Sequence, residues 1–137
     1  MKRRVAFAVS LALAACAGTA SAAGSWIAEA ALPAIGQRGR VYVSPRLAPR
    51  PTTPVTGHGI GRVQWRYGYD RVGDPRMVAR LCAAGRCVDA SNPRGGSKAF
   101  AGLPVVTPFH LMLKVPGSGR VAPAMRVGRV QLVVNFE

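Results

Sequence analysis

The last 24 residues, Lys114–Glu137, read KVPGSGRVAPAMRVGRVQLVVNFE and contain the pattern that decides the fold. A Pro-Gly-Ser-Gly turn is followed by a short segment with Pro123, which indicates an edge or a bend. The segment after it alternates apolar and other residues, with Val130, Leu132, Val134 and Phe136 at every second position. Successive side chains of a strand point to opposite faces, so this segment is predicted to be a strand with one apolar face.

The same period of two occurs in two earlier segments. Their apolar positions are Val63, Trp65, Tyr67 and Tyr69 in one, and Phe109, Leu111, Leu113 and Val115 in the other. Each apolar face needs a second layer to cover it, and no amphipathic helix of useful length follows residue 22. We therefore predict an all-β fold, a small single-domain antiparallel β-sandwich of about seven or eight strands.

The remaining strands are predicted from shorter patterns near residues 25–30, 40–44, 77–82, 86–89 and 98–101. The stretch from Ser44 to Gly61 is rich in proline and glycine, so it cannot be a central strand and is predicted to be a long surface loop or an irregular edge. Asn92–Ser97, with the sequence NPRGGS, is predicted to be a second flexible loop.

Cys82 and Cys87 are the only cysteines after residue 22. An even number in an exported chain is typical of a disulfide. Two strands joined by a four-residue turn that contains Gly85 would place the two cysteines at a separation that a disulfide tolerates. A zinc site would need His58 and His110 to complete four ligands, and the C-x-x-C spacing of redox-active pairs is absent. We predict one structural hairpin disulfide.

Residues 1–22 have the pattern of a secretory signal peptide, with a basic start, an apolar run and Ala20-Ser21-Ala22 at the exit. This leaves residues 23–137 as one domain in the periplasm, with no transmembrane segment. Leu13-Ala14-Ala15-Cys16 also fits a lipoprotein processing box, which would attach lipid to Cys16. Both routes predict the periplasm.

The formal net charge is +14, of which three cations lie within residues 1–22, so residues 23–137 carry +11. Such a charge would suggest nucleic acid in a cytosolic protein, but export removes that partner. Anionic lipid, lipopolysaccharide or an acidic protein would remain as partners attracted by this charge. The excess of arginine is equally explained by a GC-rich genome and a solubilising surface.

The sequence offers little for catalysis. Its five acidic residues, Glu29, Asp70, Asp74, Asp89 and Glu137, form no pair at the spacing used by glycosidases or metal sites. His58 lies in a glycine-rich segment without a following helix to complete a phosphate site, and His110 lies in a predicted strand. We expect a binding module without catalytic residues, metal or cofactor; a small hydrolase that depends on either histidine is the contrary hypothesis.

Four blocks in order resemble the FlhE family of periplasmic flagellar proteins. They are Gly24-Ser25-Trp26, Gln64-Trp65-Arg66-Tyr67, the paired Arg80-Leu81-Cys82 and Arg86-Cys87-Val88, and the closing stretch Lys114–Glu137. The resemblance implies a small β-sandwich and carries over Cys82, Cys87 and the turn residues Pro116, Gly117 and Gly119. The Pro/Arg-rich stretch Arg46–Pro54 has no clear equivalent in that pattern.

The resemblance also implies a function, namely a non-enzymatic accessory protein of flagellar assembly. Such a protein would be a chaperone that stops flagellar subunits from assembling in the periplasm, and would limit proton leakage through the export apparatus. The implied partners are flagellar rod, hook or filament subunits, or the export apparatus itself.

Strand addition to a sheet edge, or capping of a sheet face, is the physical mechanism that we expect for such a partner. The candidate partner surface comprises Trp65, Arg66, Tyr67 and Arg120. Trp65 and Tyr67 share the apolar face and therefore also fit a core position, whereas Arg66 points the other way. The alternative function is a basic envelope-binding protein or lipoprotein that associates with anionic lipid or glycan.

Overall fold

The computed structural model describes residues 23–68, 74 and 76–137. These residues form ten strands: β1 Gly24–Ala31, β2 Ile35–Gln37, β3 Val41–Val43, β4 Ile60–Arg66, β5 Val78–Ala83, β6 Arg86–Asp89, β7 Arg94–Ser97, β8 His110–Lys114, β9 Arg120–Met125 and β10 Arg129–Phe136. The predicted signal peptide, the lipoprotein alternative at Cys16 and the strand position of Tyr69 lie outside the described residues.

The strands form two four-stranded sheets and one two-stranded sheet, and every pairing is antiparallel. The first sheet has the order β1-β10-β4-β7, the second β3-β8-β5-β6, and β2 pairs with β9. The predicted all-β antiparallel sandwich is confirmed. The strand predicted near 40–44 is β3, whereas β2 and β7 were not predicted, because short strands contain too few alternations to be recognised.

The core lies between the two larger sheets and consists of the alternating residues that face inward. From the first sheet these include Trp26, Val63, Trp65, Val130, Leu132 and Val134, and from the second Ala79, Leu81, Leu111 and Leu113. Phe109 links the layers, because its ring lies 5.0 Å from that of Phe100 and 6.2 Å from that of Trp26, centroid to centroid. The apolar faces predicted at 63–67, 109–115 and 130–136 are therefore confirmed.

The predicted loop at 92–97 is wrong over its last four residues, because Arg94–Ser97 is β7 and pairs with β4. Two glycines make the segment look flexible, yet they are required by packing. A Cβ added to Gly95 would lie 2.5 Å from the indole of Trp65. The predicted strand at 98–101 is a turn in which the amide of Ala101 donates to the carbonyl of Lys98.

The stretch from Ser44 to Gly61 is irregular over most of its length, as predicted. Leu47 forms an isolated antiparallel bridge with Phe109. The prediction fails at its last two residues, because β4 begins at Ile60 and is an interior strand. Pro123 lies in β9 of the two-stranded sheet, which agrees with the predicted edge or bend.

Candidate interaction surfaces

The disulfide hairpin is built by β5 and β6, with Cys82 directly opposite Cys87. Their Cα atoms lie 4.1 Å apart and the two sulfurs are bonded, which confirms the predicted hairpin disulfide. The turn is shorter than predicted, because only Ala84 and Gly85 lie between the strands. Both have positive φ, 49° and 78°, as a two-residue type I′ turn requires.

Trp65 and Tyr67 are core residues, so their assignment to a partner surface was wrong. Their relative exposures are 6% and 5%. The indole nitrogen of Trp65 donates to the carbonyl of Asn92 at 3.0 Å, and the hydroxyl of Tyr67 donates to that of Ala90 at 2.6 Å. Each ring thus fills the core while its polar atom bonds to the segment that connects β6 to β7.

Arg66 is exposed, as its position on the opposite face predicted. It lies in the middle of a transverse row in which Glu29, Gln131, Arg66 and Arg94 are register partners on four neighbouring strands. The amide nitrogen of Gln131 donates to Glu29 Oε1 at 3.0 Å. The register of the sheet therefore gathers side chains that are far apart in sequence.

We call the arginines of this outer face the basic row: Arg62, Arg66, Arg94 and Arg129. Arg62 lies on the same side of β4 as Arg66, and its guanidinium covers Gly96 of β7, 2.8 Å from where a Cβ would stand. Arg129 approaches Glu29 at 3.8 Å, in an exposed ion pair. Among the described residues of this face, Glu29 is the one carboxylate against four guanidinium groups, so the face is strongly positive.

Arg120, the other arginine of the predicted surface, is exposed at the start of β9 and is paired with Gln37 of β2. It belongs to the two-stranded sheet, whereas Arg66 belongs to the β1-β10-β4-β7 sheet. The structure therefore does not place the two arginines on one sheet face.

The outer face of the second sheet carries an apolar strip that the sequence did not reveal. We define this strip as Val41, Val43, Val78 and Met112. Val41, Lys114 and Val78 are register partners on three strands, and Val43, Met112 and Arg80 form the next row. The three valines are 44–49% exposed. A groove of about 400 Å³ is lined by Val41, Val78 and Met112 of the strip, together with Arg80 and with Lys114, which lies between the two valines.

The strip escaped sequence analysis because β3 reads Val-Tyr-Val, which is apolar on both faces and too short to show a period. An exposed apolar patch on a sheet is a common mark of a protein contact. The strip is therefore a second candidate interaction surface.

Asp74 lies between two arginines and is the most strongly paired carboxylate of the described chain. Its Oδ2 accepts from Arg38 at 2.6 Å and from Arg76 at 3.0 Å, while its Oδ1 accepts from the backbone amide of Arg76 at 2.9 Å. The hydrogen bonds from Arg76 and then from Arg38 hold the pKa of Asp74 well below its usual range. Asp74 fixes the approach to β5 and offers no free acid for catalysis.

The two histidines do not form a catalytic arrangement with the other described residues. His58 is exposed and its backbone amide donates to the carbonyl of Glu137, while Nδ1 of His110 lies 3.4 Å from the carbonyl oxygen of Ser44. Across 23–68, 74 and 76–137, no group of three or more His, Cys, Asp or Glu side chains is placed to hold a metal ion. The same residues include no helix long and apolar enough to cross a membrane.

The fold and the surfaces together define a class of protein, namely a small β-sandwich with one hairpin disulfide. Its candidate interaction surfaces, one basic and one apolar, lie on exposed sheet faces. The family model of flagellar protein FlhE matches residues 33–137. The chain therefore belongs to the FlhE family, and the resemblance seen in the sequence is confirmed.

Individual relatives agree with this assignment. Flagellar protein FlhE of Escherichia coli is 31% identical over 117 residues, which cover 85% of this chain and 88% of the relative. FlhE of Salmonella typhimurium is 36% identical over 83 residues, 61% of this chain, and the match spans 63% of the relative's length. A crystal structure of FlhE superposes with a TM-score of 0.77 at 32% identity, covering 84% of this chain and 97% of that one.

Proposed function

We propose that this chain is a periplasmic flagellar accessory protein that binds flagellar rod, hook or filament subunits and prevents their premature assembly. Membership of the FlhE family supports the link to the flagellum. The disulfide of the β5–β6 hairpin supports an oxidising compartment outside the cytoplasm. The chain would reach this compartment through the predicted signal peptide at residues 1–22.

The apolar strip is the observation that carries a binding function. Val41 and Val43 follow one another on the outer face of β3, and Val78 lies two strands away on β5, across Lys114 and Met112 of β8. All three valines are nearly half exposed, so a partner that covers them would lower the free energy of the complex. Subunits that polymerise expose apolar segments of their own before assembly, and covering those segments would keep them apart. Limiting proton leakage through the export apparatus follows in this proposal from the control of when subunits assemble.

Deletion of the gene in its own organism tests the proposal, with cells scored for filaments in the periplasm and for proton leakage. We expect both defects, and rescue by the wild-type gene. The Val78→Ser variant should rescue poorly, whereas Val106→Ser should rescue fully, because Val106 is 57% exposed but lies outside the strip. Normal flagella and a tight membrane in the deletion strain would overturn the proposed function.

Binding to the anionic cell envelope is the second candidate function, and the basic row favours it. Four arginines on one face would be attracted to phosphate groups of lipid or lipopolysaccharide, with an affinity that falls as salt screens the charges. Attachment through lipid on Cys16 would add a stable anchor.

Vesicles that contain anionic lipid separate the two functions. The envelope function predicts binding that is lost in high salt and is weakened by Arg66→Glu. The chaperone function predicts saturable binding to purified flagellar subunits with only modest salt dependence. Arg66→Glu in the complementation experiment then shows whether the basic row contributes to the flagellar phenotype.

A further inference from the structure

Strand β1 is an edge strand of its sheet, and no other described strand pairs with its outer side. Its register with β10 runs without a bulge from Gly24 to Ala31, and the amide of Leu32 donates to the carbonyl of Gly128 one step further on. Backbone groups alternate in direction along an antiparallel strand. The backbone amides and carbonyls of the even-numbered residues of β1 therefore point toward β10. Those of Ser25, Ile27, Glu29 and Ala31 point away from the sheet. No described residue outside β1 forms a backbone hydrogen bond with these four.

A groove of about 600 Å³ lies along this edge, and residues 46–53 form its opposite wall. We call it the β1 seam. Three arginines, Arg46, Arg50 and Arg129, line it, and Glu29 is the one carboxylate among its lining residues. An added strand would lie about 4.8 Å from β1, on the side of β1 that this groove borders.

Both walls of the seam are fixed to the same part of the core. The indole nitrogen of Trp26, in β1, donates to the carbonyl of Val105 at 2.7 Å. On the other wall, Leu47 and Phe109 exchange backbone hydrogen bonds at 2.8 and 2.9 Å. The seam is therefore preformed, and a ligand that enters it does not have to order the chain around it.

The other lateral side of the sandwich carries the connection from the second sheet to the first. There, residues 90–93 pass from the second sheet to the first, and their carbonyls accept hydrogen bonds from the side chains of Trp65 and Tyr67. Arg86 of β6 also holds the turn that follows β7, because its Nη1 donates to the carbonyls of Ala99 and Ala101. Strand addition is favoured at β1, because its outward backbone groups have no backbone partner among the described residues.

We propose that the β1 seam binds an extended, acidic segment of another protein as an added fifth strand of the β1-β10-β4-β7 sheet. Alternation along the segment would place apolar side chains beside Trp26 and Ala28 and acidic ones toward Arg46, Arg50 and Arg129. Charge excludes a second copy as the preferred occupant, because two copies would bring like-charged arginines together in a domain of net charge +11. Identification of the segment as part of a flagellar subunit rests on the proposed function.

A labelled ten-residue peptide of alternating valine and aspartate is the probe, and fluorescence anisotropy with the purified protein is the measurement. We expect saturable binding that is weakened about tenfold or more when alternate residues of the peptide are N-methylated, because methylation removes the donors of the added strand. Replacing aspartate by lysine should weaken binding to a similar degree.

Variants of the protein locate the site. Ile27→Pro removes an outward amide and leaves the hydrogen bonds to β10 in place, whereas Ile27→Thr keeps the amide and is the matched control. Arg50→Glu should weaken binding about tenfold, and Arg126→Glu, an exposed charge that does not line the seam, should leave it unchanged. Circular dichroism and thermal unfolding show which variants remain folded.

Amide hydrogen exchange gives a reading that needs no variant. Without peptide, the amides of Ser25, Ile27, Glu29 and Ala31 should exchange fast, and with peptide they should become protected. Equal binding of the N-methylated peptide, protection elsewhere, or formation of dimers through β1 would overturn the inference. These measurements use a synthetic peptide, so they test binding at the β1 seam independently of the flagellar phenotype of the deletion strain.

Discussion

At the scale of single residues, Gly95 and Asp74 decide geometry that neighbouring residues alone would not fix. Gly95 has no side chain, so the ring of Trp65 can pack directly against the backbone of β7. A glycine that suggests a flexible loop in the sequence is therefore required by the packing of the core. Asp74 brings Arg38 and Arg76 together across a separation of 38 residues in sequence. Each residue yields a prediction about stability.

Gly95→Ala should lower the free energy of unfolding by about 1–3 kcal/mol, because the new methyl group would stand 2.5 Å from a rigid indole carbon. Gly36→Ala is the control, since nothing lies within 4 Å of a Cβ at that strand position. Urea unfolding of both variants measures the difference. Equal stability of the two would show that Trp65 can move aside.

Asp74→Asn should destabilise the protein at pH 7, because it removes a carboxylate that two arginines hold ionised. The pKa of Asp74 is lower in the folded protein than in the unfolded chain, where it is about 3.9. Its stabilising contribution is therefore complete above that value and is lost as the pH falls toward the folded pKa.

Thermal unfolding of wild type and variant between pH 7 and pH 2 measures this effect. We expect the two melting curves to approach each other below about pH 4. Glu29→Gln is a control with little effect, because its ion pair is exposed and spans 3.8 Å. A difference that grows as the pH falls would contradict the assignment.

At the scale of elements, the β5–β6 hairpin combines a tight turn with a covalent bond. Ala84 and Gly85 both adopt positive φ, and Cys82 and Cys87 face each other one pair beyond the turn's closing residues. The bond closes a short loop, so its effect on the unfolded chain is modest. Packing of Leu81 and Ala83 in the core holds the hairpin as well.

Replacing both cysteines by alanine should lower the free energy of unfolding by about 2 kcal/mol and leave the fold intact. Guanidinium unfolding under oxidising conditions measures the change, and the reduced wild type should match the double variant. Loss of the fold in the double variant would show that the disulfide is required for formation of the second sheet.

At the scale of the whole molecule, charge is the dominant property. Residues 23–137 carry a net charge of +11, and the described structure compensates few of these cations, with ion pairs only at Asp74 and Glu29. Repulsion among the remaining arginines opposes the compact state. The same charge gives the basic row and the β1 seam their preference for anionic partners.

Sodium chloride should therefore raise the melting temperature by a few degrees between 50 and 500 mM, because the Debye length shortens over this range. Differential scanning calorimetry measures the shift. Arg126→Gln, which removes an exposed cation without a partner in the described structure, should reduce the salt dependence. A melting temperature that falls with salt would mean that the ion pairs of Asp74 outweigh the repulsion.

The sequence by itself determined the layers of the sandwich and the disulfide. Alternation over 63–67, 109–115 and 130–136 specified which faces are buried, since a strand shows its two faces in its residue order. The burial of Trp65 and Tyr67 followed from the same rule, although they had also been assigned to a surface. Exposure of Arg66 was predictable for the same reason.

Only the tertiary structure decided which residues meet across strands. The basic row, the apolar strip and the β1 seam each join segments that are distant in sequence, and their composition depends on strand order and register, which no local pattern encodes. The glycines of β7 had been predicted to form a loop, but packing against Trp65 and pairing with β4 make this segment a strand. The order of residues within a strand determines the face on which each side chain lies. Pairing between strands determines which side chains lie beside it, and a binding surface consists of side chains from several strands.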